Sequence, residues 1–310
     1  MSASEATPIG VLFQSGGAGL NNRQSYRFTH RLAVQQNMSA GNFAERYGPW
    51  ALITGASAGI GAEFARQLAG LGLNLVLVAR RREKLESLAR QLEAEHKIQV
   101  LCVVADLSQQ DFLPAIVHAT QSIDIGLLVN NAGFGVAGNF LAHDLERELA
   151  LLDVNCRALM ILTHRFGNPM ARRKKGGIIL VSSVSAFIAT PFEAHYSASK
   201  VYELFLAEAL GYELKKDGVD VLALCPGSTD TEFHDIAGSR PVAAMAVAPV
   251  VGLALRQLGK TSVAIPGWHN RLLVGFLKFT PRRLHTFFAG RTMGRLASES
   301  LRSSIVTRQR

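Results

Sequence analysis

The sequence predicts an α/β fold: a single doubly wound, Rossmann-like domain with about seven parallel strands and helices on both faces of the sheet. Three observations predict it. Short apolar segments alternate with helical ones from Trp50 onward. Several apolar segments are continuous, as in strands buried on both faces of a parallel sheet. The composition, 48% hydrophobic and 18% charged, is that of a globular protein. Strand–helix alternation of this kind is typical of doubly wound sheets with right-handed crossovers.

The elements follow each other along the chain in regular order. Strands are expected at Ala51–Thr54, Leu73–Ala79, Gln99–Ala105, Gly126–Val129, Ile178–Ser182, Val219–Leu224 and Ser262–Ile265. Helices are expected at Gly59–Ala69, Glu83–Glu95, Phe112–Thr120 and Tyr196–Asp217. In the first of these, apolar residues recur at helical spacing, so that one face of the helix would pack on the sheet.

The domain is expected to span 47–270, without an internal repeat or a linker to a second domain. Residues 1–46 are expected to be a disordered or non-core extension. They lack the apolar segment of a secretory signal. With Glu5 as their one acid and with three arginines, the first 37 residues also resemble a mitochondrial presequence, but Gly16–Gly19 breaks the helical periodicity. Residues 271–310 are expected to form a basic amphipathic C-terminal extension.

The positive charge is concentrated in that C-terminal extension. The formal net charge of the chain is +9, and residues 271–310 carry nine Arg or Lys against the single acid Glu299. A positive electrostatic field confined to one end of the chain argues against nucleic-acid binding by the whole fold. The extension is interpreted as a solvated tail or, because apolar residues interleave with the charges, as a peripheral membrane contact through 271–295.

No apolar run reaches the roughly 18 residues that span a bilayer. The three cysteines lie far apart and without metal-ligand spacing, which favours thiols in a reducing compartment. A cytoplasmic protein without a metal site is therefore expected, with peripheral membrane association as the alternative.

A glycine-rich turn follows the first predicted strand. It reads Thr54-Gly55-Ala56-Ser57-Ala58-Gly59-Ile60-Gly61 and runs into the first predicted helix. Glycines let the backbone approach a pyrophosphate, and the N–H groups of a helix N-terminus point at it. The spacing G-x-x-x-G-x-G differs from the common dinucleotide fingerprint. Because a strand precedes it and a helix follows, we interpret the segment as a nucleotide-binding turn.

Three arginines stand where the second predicted strand ends, in Val78-Ala79-Arg80-Arg81-Arg82. An acid at this place binds the ribose 2′-OH of NAD, whereas a basic residue accommodates the 2′-phosphate of NADP. The sequence therefore favours NADP(H) over NAD(H), with Arg80 as the phosphate ligand. Arg81 and Arg82 are interpreted as surface residues at the start of a helix.

Tyr196 and Lys200 lie one turn apart on the same face of a predicted helix. An ammonium near a phenol favours the phenolate, so the pKa of Tyr196 should fall towards the working pH. Such a tyrosine can give a proton to a carbonyl or take one from an alcohol. Taken alone, the pair also fits two ordinary helical neighbours. Asn155 and Ser183 upstream turn it into a candidate active site.

These motifs, in one order along the chain, resemble the short-chain dehydrogenase/reductase family in its single-domain form. They are the glycine turn, Asn130-Asn131-Ala132-Gly133, Asn155, Ser183, the Tyr196/Lys200 pair and Pro226-Gly227. The resemblance covers about Pro49 to Gly267. Short segments at 132–135, 225–227, 231–233 and 265–267 are similar to the DltE-like branch of the family.

The resemblance implies a role for each matching residue. Tyr196 would be the acid/base, Lys200 would lower its pKa and hold the nicotinamide ribose, and Ser183 would bind the substrate carbonyl. Asn155 would position a water that links Lys200 to solvent, although it also fits an ordinary surface amide. The implied coenzyme contacts are Gly55, Ser57, Gly59, Ile60, Gly61, Arg80, Asp106, Leu107, Asn131, Ala132, Gly133, Tyr196, Lys200, Pro226, Gly227 and Thr231.

The expected substrate contacts are largely apolar: Phe134, Ser183, Phe192 and Tyr196, with Phe187, Ile188 and His195 nearby. His195 is interpreted as a pocket-wall or surface residue rather than a base. The stretch 233–249 holds small residues suited to a lid. These features predict a hydrophobic ketone, aldehyde or alcohol as substrate, without choosing among a steroid, a long acyl chain and a xenobiotic.

Three functions remain open from the sequence. The first is an NADP(H)-dependent oxidoreductase, the second a membrane-associated lipid or steroid reductase. The third is a non-enzymatic NADP(H)-sensing regulator, which would be expected to have lost Tyr196 or Lys200. Family analogy implies a homodimer through the helices around Asn155 and Tyr196.

Overall fold

Seven parallel strands form one sheet in the order β3-β2-β1-β4-β5-β6-β7. The computed structural model describes residues 40–233, 237 and 244–294. The strands are β1 Trp50–Thr54, β2 Asn74–Ala79, β3 Val100–Val104, β4 Ile125–Asn130, β5 Gly176–Val181, β6 Val219–Leu224 and β7 Val263–Ala264. The doubly wound parallel sheet predicted from the sequence is confirmed, and the strand order reverses between β1 and β4.

Helices cover both faces of the sheet. They are α1 Ala40–Tyr47, α2 Gly59–Gly70, α3 Arg82–His96, α4 Leu113–Thr120, α5 Leu145–Leu152, α6 Leu159–Arg173, α7 Ala194–Glu213, α8 Val247–Gln257 and α9 Trp268–Leu277. Residues 282–294 are also helical and are called α10. A π-helical segment, Asp153–Ala158, joins α5 to α6.

The core lies on the two faces of the central strands. β1, β4 and β5 are buried along their whole length, as their continuous apolar sequences predict. On one face, Leu52 and Ile178 from the sheet pack in a cluster with Phe166 of α6 and Leu204 of α7. This packing fixes α7, which carries Tyr196 and Lys200, against the sheet.

The structure corrects the expected N-terminal boundary. Helix α1 falls almost entirely within 1–46, yet its Phe43 is fully buried and Tyr47 is nearly so. The Tyr47 hydroxyl donates to Asp220 Oδ2 at 2.7 Å, next to β6. Two large apolar residues four positions apart are too short a pattern to reveal a core helix, which is why the expectation was wrong for 40–46. Residues 1–39 lie outside the described part.

The expected boundary at 270/271 is also corrected. Helix α9 runs across it, with Asn270 and Val274 buried. Asn270 Nδ2 donates to Pro266 O at 2.8 Å, which joins the helix to the end of β7. Residues 271–294 therefore continue the domain, whereas 295–310 lie outside the described residues. Most of the expected lid, 234–236 and 238–243, also lies outside them.

Candidate active site

A cleft of about 550 Å³ opens at the carboxyl ends of the strands. Residues that follow β1, β2, β4, β5 and β6 line it. This is the edge of a doubly wound sheet, near the reversal of strand order, at which ligands bind.

The glycine turn closes against the end of β4. Thr54 Oγ1 accepts hydrogen bonds from the N–H groups of Asn131 and Ala132, each at 3.0 Å. Gly55 has φ +66°, and a Cβ there would stand 2.9 Å from Ala132 Cα. A Cβ on Gly61 would stand 2.4 Å from Gly55 O. The turn and the Asn131-Ala132 segment can therefore pack this closely only because these positions carry no side chain.

Almost all of the predicted coenzyme residues lie on the wall of the cleft. They are Gly55, Ser57, Gly59, Ile60, Arg80, Asp106, Leu107, Asn131, Ala132, Gly133, Tyr196, Lys200, Pro226, Gly227 and Thr231. Gly61 lies behind that wall, where it packs on Gly55. The bare backbone of the turn at the N-terminus of α2 fits a pyrophosphate, so the described residues fit a bound dinucleotide.

Of the two arginines that directly follow β2, Arg81 contacts the glycine turn. Its guanidinium donates to Ser57 Oγ in the glycine turn at 3.0 and 3.2 Å and to Glu232 Oε2 at 2.6 Å. Arg80 also lines the cleft, but its side chain is 70% exposed and lies 3.9 Å from Asp106. Arg81 therefore lies at the surface next to the start of α3, as interpreted from the sequence, and its side chain also lines the cleft.

Tyr196, Ser183 and Lys200 meet on the floor of the cleft. Tyr196 and Ser183 are both buried on the cleft wall, and Ser183 lowers the pKa of Tyr196. Lys200 Nζ lies 5.6 Å from the centroid of the Tyr196 ring. The structure also separates Ser183 from Ser182, since the Ser182 hydroxyl donates to Lys200 O at 2.7 Å. Tyr196, Ser183 and Lys200 are thus brought together as predicted.

The electrostatics of Tyr196 differ from the sequence argument. Burial raises the pKa of Tyr196, and this effect outweighs Lys200 and Ser183, which lower the pKa. The phenol therefore holds its proton more firmly than a tyrosine in water. The sequence pattern supplied the neighbouring ammonium but not the depth of burial.

Lys200 has a buried anionic partner that sequence reasoning missed. Both carboxylate oxygens of Glu203 lie close to Lys200 Nζ, at 2.9 and 3.0 Å, and Val181 O accepts from the same nitrogen at 3.0 Å. Glu203 is three residues beyond Lys200 on α7 and belongs to none of the motifs. The presence of an acid one turn after the lysine was the signal available in the sequence.

Asn155 lies in the π-helical segment and is fully buried behind the cleft. Its Oδ1 accepts from Phe134 N at 3.1 Å, and its Nδ2 donates to Phe134 O at 3.1 Å and to Ser199 Oγ at 2.9 Å. A Cβ on Gly133 would stand 3.1 Å from Asn155 Oδ1 and 3.3 Å from Lys200 Nζ, so both atoms face the same small space.

Part of the cleft wall is aromatic. Phe134, Phe192 and Phe233 line it, together with Met293 of α10. Phe192 adopts a positive φ of 65°, a conformation rare for bulky residues and found at functional sites. Sequence reasoning missed Met293, because it lies in the segment interpreted as an extension.

Other residues near the cleft differ from expectation. Phe187, Ile188 and His195 are not part of the cleft wall. His195 Nδ1 instead lies 2.6 Å from Glu148 Oε2. Glu193 does line the cleft, and burial raises the pKa of its carboxyl group.

Within the described residues, no helix combines the length and the apolar character needed to cross a membrane. The same part of the chain holds no cluster of three or more His, Cys, Asp or Glu arranged to bind a metal ion. The three cysteines are free thiols, and Cys156 and Cys225 are buried.

Known proteins resemble this chain over most of its length. The family profile "short chain dehydrogenase" matches residues 49–240. A 7beta-hydroxysteroid dehydrogenase of Clostridium sardiniense is 33% identical over 234 residues, which are 74% of this chain and 90% of that protein. A Pongo abelii protein named "Inactive hydroxysteroid dehydrogenase-like protein 1" is 36% identical over 192 residues, 61% of this chain and 58% of its own.

A solved structure supports the same family. A short-chain dehydrogenase from Sphingobium yanoikuyae in complex with NADPH superposes with a TM-score of 0.69 and 33% identity, covering 74% of this chain and 92% of that one. Profile, sequence and fold point the same way, and the residues that carry the family's chemistry meet in one cleft. The chain belongs to the short-chain dehydrogenase family and is an oxidoreductase.

Proposed function

We propose that this protein interconverts a hydrophobic ketone or aldehyde and its alcohol, with NADP(H) as coenzyme and Tyr196 as acid/base. One observation carries the proposal: Tyr196 and Ser183 line the same cleft as the glycine turn. A proton donor and a dinucleotide cradle thus share one space, which a reaction on a carbonyl requires.

Three residues of the chain have roles in the proton transfer to or from the substrate oxygen. The Ser183 hydroxyl can hydrogen-bond the substrate oxygen and stabilise the charge that develops on it. Tyr196 gives its proton to that oxygen in reduction and takes it back in oxidation. The coenzyme, when bound, supplies or accepts the hydride. Lys200, held by Val181 O and Glu203, places an ammonium beside the phenol.

The preference for NADP(H) rests on the basic end of β2. Arg80 and Arg81 both line the cleft, and Lys84 donates to the same Glu232 carboxylate as Arg81, at 2.7 Å. Cationic side chains at this place favour a 2′-phosphate. The related Sphingobium enzyme in complex with NADPH supports the same coenzyme for this chain.

A bulky apolar substrate, such as a steroid, fits the aromatic wall of Phe134, Phe192, Phe233 and Met293. The relative from Clostridium sardiniense, a 7beta-hydroxysteroid dehydrogenase, supports this class of substrate.

We also propose that the chain belongs to the DltE-like branch of the family, because of the short sequence motifs quoted above.

A non-enzymatic NADP(H)-sensing role is the weaker candidate. One relative is named an inactive hydroxysteroid dehydrogenase-like protein. This chain, however, keeps Tyr196, Lys200 and Ser183, and all three line one cleft, with Lys200 Nζ 5.6 Å from the centroid of the Tyr196 ring. Retention of a complete proton-transfer set favours an enzyme.

A second candidate, a cytoplasmic reductase that docks on a membrane, is favoured by one surface. Helices α9 and α10 expose large apolar side chains among basic ones and carry no acid. This C-terminal apolar–basic surface consists of Trp268, Arg271, Leu272, Leu273, Phe276, Lys278, Phe279, Arg282, Arg283, Leu284, Phe287, Phe288 and Arg291. Such a surface fits the headgroup region of an anionic bilayer.

We further propose a homodimer through α5, α6 and α7. Leu145, Leu149 and Leu152 form one exposed stripe on α5, and Phe205 and Tyr212 are exposed on α7. Apolar residues exposed in rows along helices are typical of a surface that another subunit covers. The mass of the protein in solution tests this: a monomeric mass would contradict it.

Turnover of NADPH with a panel of bulky and small carbonyls, next to the Tyr196→Phe variant, tests the proposed reaction. The variant removes only the ionisable oxygen, so we expect turnover to fall by roughly 10²–10⁴-fold while NADPH binding survives. Tyr202→Phe is the matched control, since Tyr202 is exposed on the same helix and does not line the cleft. Equal turnover in the wild type and Tyr196→Phe would refute the assignment.

A further inference from the structure

Glu203 is a buried acid whose carboxylate touches the catalytic ammonium. Its side chain is 1% exposed, and that of Lys200 is 5% exposed. Glu203 approaches Lys200 Nζ with both oxygens, and Val181 O takes another donor of the same group. An ammonium has three N–H groups, so these two partners occupy at least two of them. The orientation of Lys200 is therefore set by Glu203 and by the end of β5.

Stability alone gives no reason for an acid at this position. Burying two charges costs free energy that their attraction often fails to recover, and an apolar pair of similar size is often as stable. The next buried positions on α7, Leu204 and Ala207, are apolar. A carboxylate in this place points to a role in the chemistry of the residues it faces.

Four titratable groups face Glu203 from three elements. Lys200 and Tyr196 share its helix, Cys156 comes from the π-helical segment, and Cys225 follows β6. Burial raises the pKa of Cys156 to about 11 and that of Cys225 to about 12, so both thiols stay neutral. Lys200 is thus the cation whose charge the Glu203 carboxylate offsets.

The two charges act on Tyr196 in opposite directions. Lys200 lowers the pKa of Tyr196, and Glu203 raises it. Glu203 also raises the pKa of Lys200, which keeps the ammonium charged in spite of its burial. Burial raises the pKa of Glu203 itself to about 7. The acid therefore reduces the effect of the lysine on the phenol.

We propose that Glu203 is a positioning residue of this site: its carboxylate fixes the Lys200 ammonium and offsets its charge, so that Tyr196 keeps its proton and the site favours carbonyl reduction. This inference rests on the proposed function. In reduction, the carbonyl carbon receives the hydride and the carbonyl oxygen receives the Tyr196 proton. The phenolate left behind is reprotonated from solvent.

The Glu203→Gln variant tests the role through pH profiles. Removing the negative charge makes it easier for the Tyr196–Lys200 pair to lose a proton, whichever group releases it. The alkaline limb of ketone reduction and the acid limb of alcohol oxidation should both move to lower pH, by about one unit or more. Glu208→Gln, at an exposed site on the same helix, is the matched control and should leave both limbs in place.

A merely structural role gives a different result. It would reduce the folded fraction or lower turnover equally at every pH, without moving the limbs. Unmoved limbs in Glu203→Gln that is folded and binds NADPH would overturn the proposal. If that variant does not fold, Glu203→Asp keeps the charge but withdraws it by one methylene. In Glu203→Asp, both pH limbs should move in the same direction as in Glu203→Gln, but by a smaller amount. If they do not move, the proposal is overturned as well.

A second measurement separates this proposal from the proposed function. Absence of turnover in the wild type with every carbonyl would reject the reductase, and the tyrosinate absorbance then decides the role of Glu203. Subtracting the alkaline titration of a Tyr196→Phe counterpart isolates Tyr196 from the other tyrosines. The Tyr196 titration should move to lower pH in Glu203→Gln. An unchanged or upward midpoint would overturn the role of Glu203.

Discussion

Asn155 Nδ2 donates to Ser199 Oγ at 2.9 Å and so ties the π-helical segment to the helix that carries Tyr196. The same amide holds both backbone groups of Phe134, which lines the cleft. Ser199 Oγ in turn donates to Tyr196 O at 2.7 Å. One buried side chain thus connects the substrate wall with the backbone of the acid/base.

Replacing Asn155 by Ala should damage stability as well as catalysis. Phe134 N–H, Phe134 C=O and Ser199 Oγ would each lose a partner, and a buried unsatisfied polar group costs about 1–3 kcal/mol. We expect a lower Tm and a higher KM for the carbonyl, with a smaller change in NADPH affinity. Denaturant unfolding and steady-state kinetics measure both.

Asn155→Asp is a second variant that tests the same prediction. Its oxygen can still accept from Phe134 N, but it cannot donate to Phe134 O or Ser199 Oγ. It should therefore lose stability too. A water-positioning role alone would slow turnover and leave the unfolding free energy of both variants at the wild-type value.

Arg81 should matter more than Arg80 for NADPH. Arg81 is held on Ser57 in the glycine turn, whereas the Arg80 side chain is mostly in solvent. A charge-assisted hydrogen bond contributes roughly 1.5–3 kcal/mol, so Arg81→Ala should weaken NADPH binding by about ten- to hundredfold. NADH, which lacks the 2′-phosphate, should bind nearly as before.

Fluorescence titration of both coenzymes with Arg81→Ala, Arg80→Ala and Arg80→Asp measures this. Arg80→Asp should also weaken NADPH far more than NADH, because it places a negative charge beside the phosphate. Equal losses for the two coenzymes in all three variants would remove both arginines from the phosphate site.

Gly61 should tolerate no side chain, although it lies outside the cleft. A Cβ there would stand 2.4 Å from Gly55 O and 2.5 Å from Asn131 Nδ2. Gly61→Ala must push the turn away from the end of β4, at a cost of about 1–3 kcal/mol in unfolding free energy, and NADPH affinity should fall with it. Thermal unfolding and coenzyme titration detect the two effects.

Gly275→Ala is the matched control for Gly61→Ala. A Cβ on Gly275, inside α9, meets nothing within 4 Å. Replacing a glycine in a helix interior by alanine stabilises by roughly 0.5–1 kcal/mol. A Gly61→Ala protein as stable as this control, with wild-type NADPH affinity, would show that the turn does not need its close packing.

The sequence was sufficient for elements whose pattern is local. Strand β5 could be predicted because Ile178, Ile179 and Leu180 follow one another, and the Tyr196/Lys200 pair because helical spacing puts it on one face. Helix α1 escaped prediction because its burial depends on a contact with a distant part of the chain, Tyr47 with Asp220. No helix was predicted at α8 or α9 either, whereas helices around Asn155, where α5 and α6 lie, were expected.

Long-range contacts also limited the prediction of the site. Arg81 reaches Glu232 across 151 residues of sequence, and Met293 reaches the cleft from α10. A motif defined by the spacing of nearby residues cannot predict a contact between residues so far apart. The direction of the Tyr196 pKa depends on burial, which only the packed fold determines. Chemistry-bearing residues were therefore predictable, but their partners and their electrostatic setting were not.

The C-terminal apolar–basic surface should bind anionic vesicles. Phe279, in the turn that follows α9, is 88% exposed, and Phe276, in the last turn of α9, is 66% exposed. The full chain should sediment with phosphatidylcholine vesicles that contain phosphatidylserine, and less with phosphatidylcholine alone. Because basic residues supply part of the attraction, added salt should release the protein.

A double variant, Phe276→Ser with Phe279→Ser, separates insertion from simple charge attraction. It leaves every Arg and Lys in place, so a loss of sedimentation assigns binding to the apolar side chains. Leu141→Ser is the matched control, since Leu141 is equally exposed but lies outside this surface. If neither the wild type nor the control sediments with anionic vesicles at low salt, the surface has another use, and the membrane-associated reductase is excluded.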